Sequence, residues 1–476
     1  MTERRRDPRS FIGNYQERRR LAALERQQSA RSKAIDSRRR LDDLSLITDL
    51  PLREEEEDIE GRLATVAASS EDLQDHSDIQ MSPSSSSSLK AQDSPTAGQY
   101  LGQQQRKELW HHWASQLMNP EWLIEIPTDL ATEWYVLPRP EGQRCTVLAS
   151  KGRTISRLRN GILFENFQSG LPYGSRETYG EGGGQSNYSL LDCIYHAATE
   201  TYYIIDMMIW RGRELYDCTT EFRFFWMHSK LEEEPANLLA TTHRKQCVPL
   251  PAYPATPSGI QAAYSDPVTF IRDGLYFIHR RTQYSPGQTP LALTWKDAAS
   301  SRFFIDTDAK GVVHPEQQVV LQYAHVPSRG VCTADEPAIP LGTMPEQFVE
   351  KVGAKLKPGR LLKFTLGSGG VEFSSPIKID NTEQQQQQQQ QQEMHPVGAD
   401  LKFIGVANQR RGRADTLSKI LFQMMARRQP IRIDMLKTAA SDSESRGLVG
   451  VEGQEGESIG IVGRDNLNAD DNRMND

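Results

Sequence analysis

The sequence has no C-x-x-C pair, no hydrophobic run of membrane length, and no apolar stretch behind its charged amino terminus. Its five cysteines, Cys145, Cys193, Cys218, Cys247 and Cys332, are scattered. That argues against a zinc site and fits a reduced, intracellular protein. The longest apolar run, Tyr202 to Trp210, is broken by Asp206 and falls far short of the roughly 20 residues that span a bilayer. A charged amino terminus without a following apolar segment gives no secretory signal. No membrane partner is expected, and a soluble protein of nucleus and cytoplasm is. His111-His112, His196 and His228 have no acid or cysteine at ligand spacing, so neither a metal nor another cofactor is expected. No G-x-S-x-G frames a serine nucleophile. Gly182-Gly183-Gly184 reads as a loop tip, since no strand leads in and no helix follows as a phosphate cradle requires.

Hydrophobic residues are also scarce, at 37% of the 476. Length alone would indicate two or three domains, but this composition points to one sizeable domain with disordered flanks. The apolar residues concentrate in Leu190 to Lys230. LLDCIY and TYYIIDMMIW read as strands around a HAATE turn, with Arg211-Gly212 as the next turn. EFRFFWMHSK reads as a helix or third strand with Phe222, Phe225 and Trp226 on one side, burying one another in the core.

Charge is divided along the chain. Residues 1–40 hold thirteen Arg or Lys against five acids, and residues 41–80 hold thirteen acids against Arg53 and Arg62. Asn14 to Glu17 has capping-box spacing, and no Pro or Gly interrupts Tyr15 to Ser45, which predicts a basic helix in an arm spanning 1–45. Leu21, Leu24, Ile35 and Leu41 are too sparse to dock it on a core, so it is expected to stay solvated until a partner wraps it. Such a run fits a nucleic-acid arm, a general scaffold helix or the ligand of an import receptor. Leu44, Ile47, Leu50 and Leu52 have the spacing of an amphipathic peptide for an export receptor's groove.

Residues 46–105, acidic and then Ser-rich, read as a disordered linker. The folded part spans 106–300. KELWHHWASQLMNPEWLIEIP reads as a helix stopped at Asn119-Pro120, and EWYVLPRP and RCTVLASKG as strands. Phe164 to Gln185 reads as loop, Leu231 to Pro267 as Pro-rich connection, and DGLYFIH and PLALTWK as strands. In 301–440, SRFFID, QQVVLQY, RLLKFTL and LKFIGVA read as strands and DTLSKILFQMMARR as a helix. Gln384 to Gln392 can bury nothing, and the tail 441–476 reads as disordered. The fold class is therefore α+β, with mixed or antiparallel sheets.

Trp122 and Trp295 flank a set of cations: Arg139, Arg144, Lys151, Arg153, Arg157 and Arg159. Aromatic faces interspersed with cations suit a nucleotide, since stacking on a base is worth ~1–3 kcal/mol. NPEWLIEIPTDLATEWYV, VLASKGRT, YSLLDCIY, TYYIIDMMIWRGRELYDCTTEFRFFWMHSKLEEE and DGLYFIHRRTQYSPGQTPL run in order through this region. They resemble the snurportin family, import adaptors for trimethylguanosine-capped spliceosomal small nuclear RNA. The resemblance implies that the cap base stacks on Trp295, that Trp122 packs against the cap, and that Arg144 and Arg159 face the phosphates. Asn119, Pro120 and Arg139 depart from the family pattern beside the pocket. N7 methylation makes the base cationic and attractive to an aromatic wall. PRSFIGNYQERRRLAALERQQSARSKAIDSRRRLDDL is similar to the family's importin-beta-binding segment. That implies Arg18, Arg19, Arg20, Arg38, Arg39 and Arg40 as contacts. The family carries its export element ahead of the basic helix, so an exportin as a further partner is expected here from the relocated spacing of Leu44, Ile47, Leu50 and Leu52.

The cap domain of that family is similar to the nucleotidyltransferase fold of mRNA capping enzymes. Against that family's Lys-x-Asp-Gly-x-Arg motif this chain has Ala149-Ser150-Lys151-Gly152-Arg153. DGLYF resembles its fourth motif and LTWK its fifth, with Lys296 kept. Without the lysine amine no covalent nucleotide intermediate forms, so an adaptor without catalysis is expected. The alternative is a degenerate or active nucleotidyltransferase of the mRNA-capping type that binds GTP.

Overall fold

The structure is a computed structural model that describes residues 14–29, 112–178, 187–233, 245–307, 311–324, 329–353, 356–374, 395–408 and 412–452. Helix α1 (Tyr15–Ser29) precedes β1 (Met118–Trp122). A short α2 (Leu130–Glu133) leads into β2 (Trp134–Pro140), β3 (Gln143–Ser150), β4 (Arg153–Leu158) and β5 (Leu163–Phe167). The hydrophobic block forms β6 (Tyr188–His196), β7 (Thr201–Trp210), β8 (Arg213–Glu214) and α3 (Thr220–Glu233). It is followed by β9 (Gln246–Pro249), β10 (Tyr253–Pro254), α4 (Pro257–Ser265), β11 (Arg272–His279) and β12 (Gly287–Trp295). Past residue 300 come β13 (Gln317–Tyr323), β14 (Gly330–Cys332), β15 (Pro340–Thr343), α5 (Glu346–Val352), β16 (Leu361–Phe373) and β17 (Pro396–Val406). Helices α6 (Leu417–Ala426) and α7 (Ile433–Glu452) close the order.

The fold is α+β, with three mixed or antiparallel sheets. One runs β5-β4-β3-β6-β7-β8, with β9 parallel beside β7. A second runs β1-β12-β11-β2-β10, with β1 parallel to β12 at its edge. The third, β15-β14-β13-β16-β17, is built wholly from residues beyond 300.

The β6–β7 hairpin is buried at every position, which is why its sequence is continuously apolar rather than alternating. Its exit turn needs the left-handed region twice, at Arg211 (φ 50°) and Gly212 (φ 77°). Asp206, the interruption in β7, is matched by Arg223 of α3, whose Nε and Nη2 donate to its two oxygens at 2.9 and 2.8 Å.

That ion pair also sets the rotation of α3 and corrects the expected core face. Phe224, Met227 and Leu231 face inward, while Phe222 and Phe225 are 42% and 66% exposed. The helix carries two apolar stripes at i, i+3, i+4 spacing, and the buried guanidinium selects between them.

The second sheet is covered on both faces. Tyr276 and Ile278 of β11 join the core beneath β3, β6 and β7. Leu275 and Phe277 join a second core with Val319, Leu321, Phe364, Ile420 and Leu436 from beyond residue 300.

Several segments differ from their expected form. Met118 to Trp122 is a strand, not the end of a helix; proline forces the residue before it into extended backbone, and the edge position tolerates the missing N–H. Leu163–Phe167 is strand rather than loop. The stretch read as a Pro-rich connection contains β9, β10 and α4, whose cap is Thr256 with Pro257 as its first residue. SRFFID forms turns. The Gln384 to Gln392 run lies outside the described residues.

Candidate nucleotide-binding site

Strand β1 carries Asn119, Pro120 and Trp122. Its pairing with β12 jumps from Pro120↔Thr289 to Glu121↔Leu293 and resumes through Trp122↔Thr294. The Trp122 ring is partly exposed. Its centroid lies 4.6 Å from that of Phe422 on α6, and Lys296 Nζ stands 5.6 Å from it. Trp122 N donates to Ser418 Oγ at 3.2 Å. Asn119 Nδ2 donates back to Leu117 O at 3.3 Å, and Asn119 Oδ1 is buried without a hydrogen-bond partner among the described residues.

Lys296 links Trp122 to a buried acid. Its Nζ lies 2.9 Å from Asp273 Oδ1, Arg139 pairs with Asp273 Oδ2, and Ser301 donates to Oδ1. Burial would raise the Asp273 pKa, but Arg139 and Lys296 outweigh it and hold the carboxyl below its ordinary value. Two cations thus surround this one carboxylate, and Lys296 links it to the Trp122 ring. Asp273, Ser301 and Phe422 were missed as site residues. The DGLYF and LTWK motifs were the signal for Asp273 and Lys296, whereas nothing local marks Phe422.

Trp295 does not stand where the sequence reading put it. It is fully buried, and its Nε1 donates to Ile431 O at 2.9 Å. It packs with Leu275, Phe277 and Leu293 in the core shared with residues beyond 300. The expectation of an open stacking face is therefore corrected. A strand-end tryptophan looks reachable until a later segment returns to cover it.

Arg144 is likewise committed. Its Nε and Nη2 reach Asp192 at 3.0 and 2.6 Å, and Nη2 also donates to Met118 O at 2.7 Å. Tyr284 OH donates to the same carboxylate at 2.8 Å and accepts from Met118 N at 3.1 Å. Burial disfavours the Arg144 charge, but Asp192 more than offsets this and raises its pKa. Instead of facing phosphates, Arg144 anchors β1 through Met118. Arg159 lies in the turn after β4, a strand of the other sheet from the one that holds Trp122. Arg157 is buried beneath the Trp113 ring, 5.4 Å from its centroid. Ala149 is buried on β3 between Thr154 and Ser189. Among the described residues no group of three or more His, Cys, Asp or Glu could hold a metal.

The basic helix is not solvated, contrary to expectation. Gln16 is fully buried: its Nε2 donates to Glu121 Oε2 and Trp122 O, each at 3.0 Å. Its Oε1 accepts from Ile124 N and Glu125 N, each at 3.3 Å. Glu125 Oε2 accepts from Gln16 N and Glu17 N at 3.0 and 3.2 Å, which supplies the helix with an N-terminal anion. Arg19 pairs with Glu121 at 2.7 Å. Arg20 pairs with Glu17 and donates to Glu125 O at 3.3 Å. Arg18 is partly exposed, and its Nε donates to Asn14 O at 3.4 Å. Apolar residues were indeed too few for docking; polar ones perform it. Arg38, Arg39, Arg40, Leu44, Ile47, Leu50 and Leu52 lie outside the described residues.

Comparison with known proteins bears on this region. Among solved structures, a mycobacterial DNA ligase D complexed with ATP and MES is similar at 12% identity, over 54% of this chain and 90% of that one, with a TM-score of 0.26. The ligase domain of M. tuberculosis LigD is similar at 11% identity, over 54% and 90%, with a TM-score of 0.27. A family model described as Snurportin1, m3G cap-binding domain, matches residues 116–296, from the residue before Leu117 to Lys296. Residues 116–296 are thus similar to the m3G cap-binding domain of the snurportin family.

Proposed function

We propose that this chain is a nuclear import adaptor: it holds the trimethylguanosine cap of small nuclear RNA and presents its basic helix to importin-beta. The supporting observation is the site on β1, where the partly exposed Trp122 ring lies beside Lys296 within a match to an m3G cap-binding domain. Trp122 is the aromatic surface for the cationic base, with the Lys296 ammonium 5.6 Å from its ring centroid. Trp295 supports this surface from within the core. Capture proceeds without catalysis, since Ala149 offers a methyl group where an enzyme of this kind needs an amine. The adaptor shuttles between cytoplasm and nucleus and leaves the nucleus with an exportin.

Titration of tryptophan fluorescence with trimethylated and monomethylated cap analogues tests the reading. Wild type quenches with preference for the trimethyl form. Trp122→Ala loses about tenfold or more in affinity, in line with the loss of one stacking contact. Trp295→Phe keeps binding while losing stability. Absent preference for the trimethyl cap overturns the cap assignment. Loss of binding by a folded Trp295→Phe protein moves the platform to Trp295. Incubation with labelled GTP leaves no covalent adduct, and an adduct would restore the enzyme reading.

A further inference from the structure

We infer that the outer edge of β1 is a seat for α1 that competes with importin-beta for the same helix; this rests on the adaptor reading above. β1 is an edge strand, and an open edge presents backbone groups that need partners. The chain continuing from β1 offers Trp122 O, Ile124 N, Glu125 N and Glu125 O, and α1 meets all four through Gln16 and Arg20. A single Gln16 amide satisfies two donors and two acceptors, which an arginine or lysine in its place would not do. Glu121 is buried, and burial raises its pKa. Its charge is compensated from α1 by Arg19 and the Gln16 amide. Further along, Gln27 Nε2 donates to Ser285 Oγ at 3.1 Å, and its Oε1 accepts from Thr282 Oγ1 and Gln283 N at 3.2 and 3.1 Å. The seat therefore holds the helix at both ends.

The seat engages the residues that the partner needs. Arg19 and Arg20 face the cap domain, while Leu21 on the other side of the helix is 58% exposed. A receptor that wraps the helix must first lift Gln16 and Arg19 from β1 and Arg20 from Glu125 O just beyond it. Its apparent affinity is then reduced by the fraction of molecules in which α1 is seated. Both the seat and the proposed cap surface lie on one strand, since Trp122 O binds the helix and the Trp122 ring faces the cap site.

Amide exchange and importin-beta titration on the full chain test this, in wild type, Gln16→Ala and Glu121→Gln. Gln16→Ala alters the helix at a position outside the arginines assigned to importin-beta. Glu121→Gln alters the seat and leaves the helix sequence intact. The expected result is protection of residues 15–29 in wild type and faster exchange in both variants. Importin-beta then binds the variants about tenfold more tightly, as loss of several hydrogen bonds from the closed form implies. Wild-type exchange at the rate of an isolated helix overturns the seat and leaves the adaptor reading standing. Faster exchange with unchanged importin-beta affinity overturns the competition. Failure of importin-beta to bind any of the three, with protection as expected, overturns the competition together with the adaptor reading.

Discussion

His279 is held neutral in the interior. It is buried on β11, its ring edge-on to Trp134 with centroids 5.3 Å apart, and its Nδ1 accepts from Arg281 N at 3.2 Å. Burial lowers its pKa to about 4, against partial opposition from Asp129. An unfolded histidine titrates near 6.5, so between about pH 6.5 and 4 the unfolded chain binds the extra proton. The stabilisation is complete above that window and is lost as pH falls through it, by up to about 1.4 kcal/mol per unit. Thermal melts from pH 7 down to 5 should show a falling midpoint, and His279→Asn should flatten that slope. At this scale the sequence singled out Trp122, Arg139 and Arg144 as candidates, but their partners were not legible. Arg144 and Arg139 read as free cations because Asp192 and Asp273 are 48 and 134 residues away. An ion pair of that separation leaves no local pattern.

Among the elements, α3 depends on its one buried charge. Arg223 also donates to Cys218 O and Thr282 O, at 2.6 and 3.0 Å. Asp206→Ala strands this guanidinium without its counter-ion, and removing one partner of a buried pair costs about 3–5 kcal/mol. A urea melt checks the prediction, and a smaller loss than about 1 kcal/mol would mean water reaches the site. The strands of the block were legible because β-branched and aromatic runs between turn residues have few alternative conformations. β1 was not, since Asn119-Pro120 ends a helix and opens a strand with equal local logic. α1 was legible as a helix, but its docking runs through Gln16, a residue that no hydrophobic pattern singles out.

Taken whole, the molecule has a core that crosses residue 300. Trp295, Leu293 and Phe277 pack against Leu421, Ile420 and Val319, so the cap-binding region is covered by a sheet and helices outside the family match. Phe422→Ala should therefore lower the melting midpoint of the entire chain, at a cost of about 3–5 kcal/mol. Near-ultraviolet and far-ultraviolet circular dichroism should report the same transition. A chain ending after Lys296 lays bare Trp295 and its neighbours and should be insoluble or aggregate. Four of the strands and helices past residue 300 were legible one by one, but their return onto β12 was not, because β12's sequence is equally apolar whichever segment covers it.

The hairpin of β16 and β17 is joined through the glutamine run. Phe373 pairs with Pro396, and Ser374 N donates to His395 O at 2.9 Å, so both ends of the intervening chain are pinned beside each other. The nine glutamines, Gln384 to Gln392, fall in the sequence between these two ends. Doubling a loop's length costs only about 0.6 kcal/mol. Alleles that gain or lose glutamines through replication slippage should melt and bind cap alike, which makes this stretch a place where the gene can vary in length without cost to the protein.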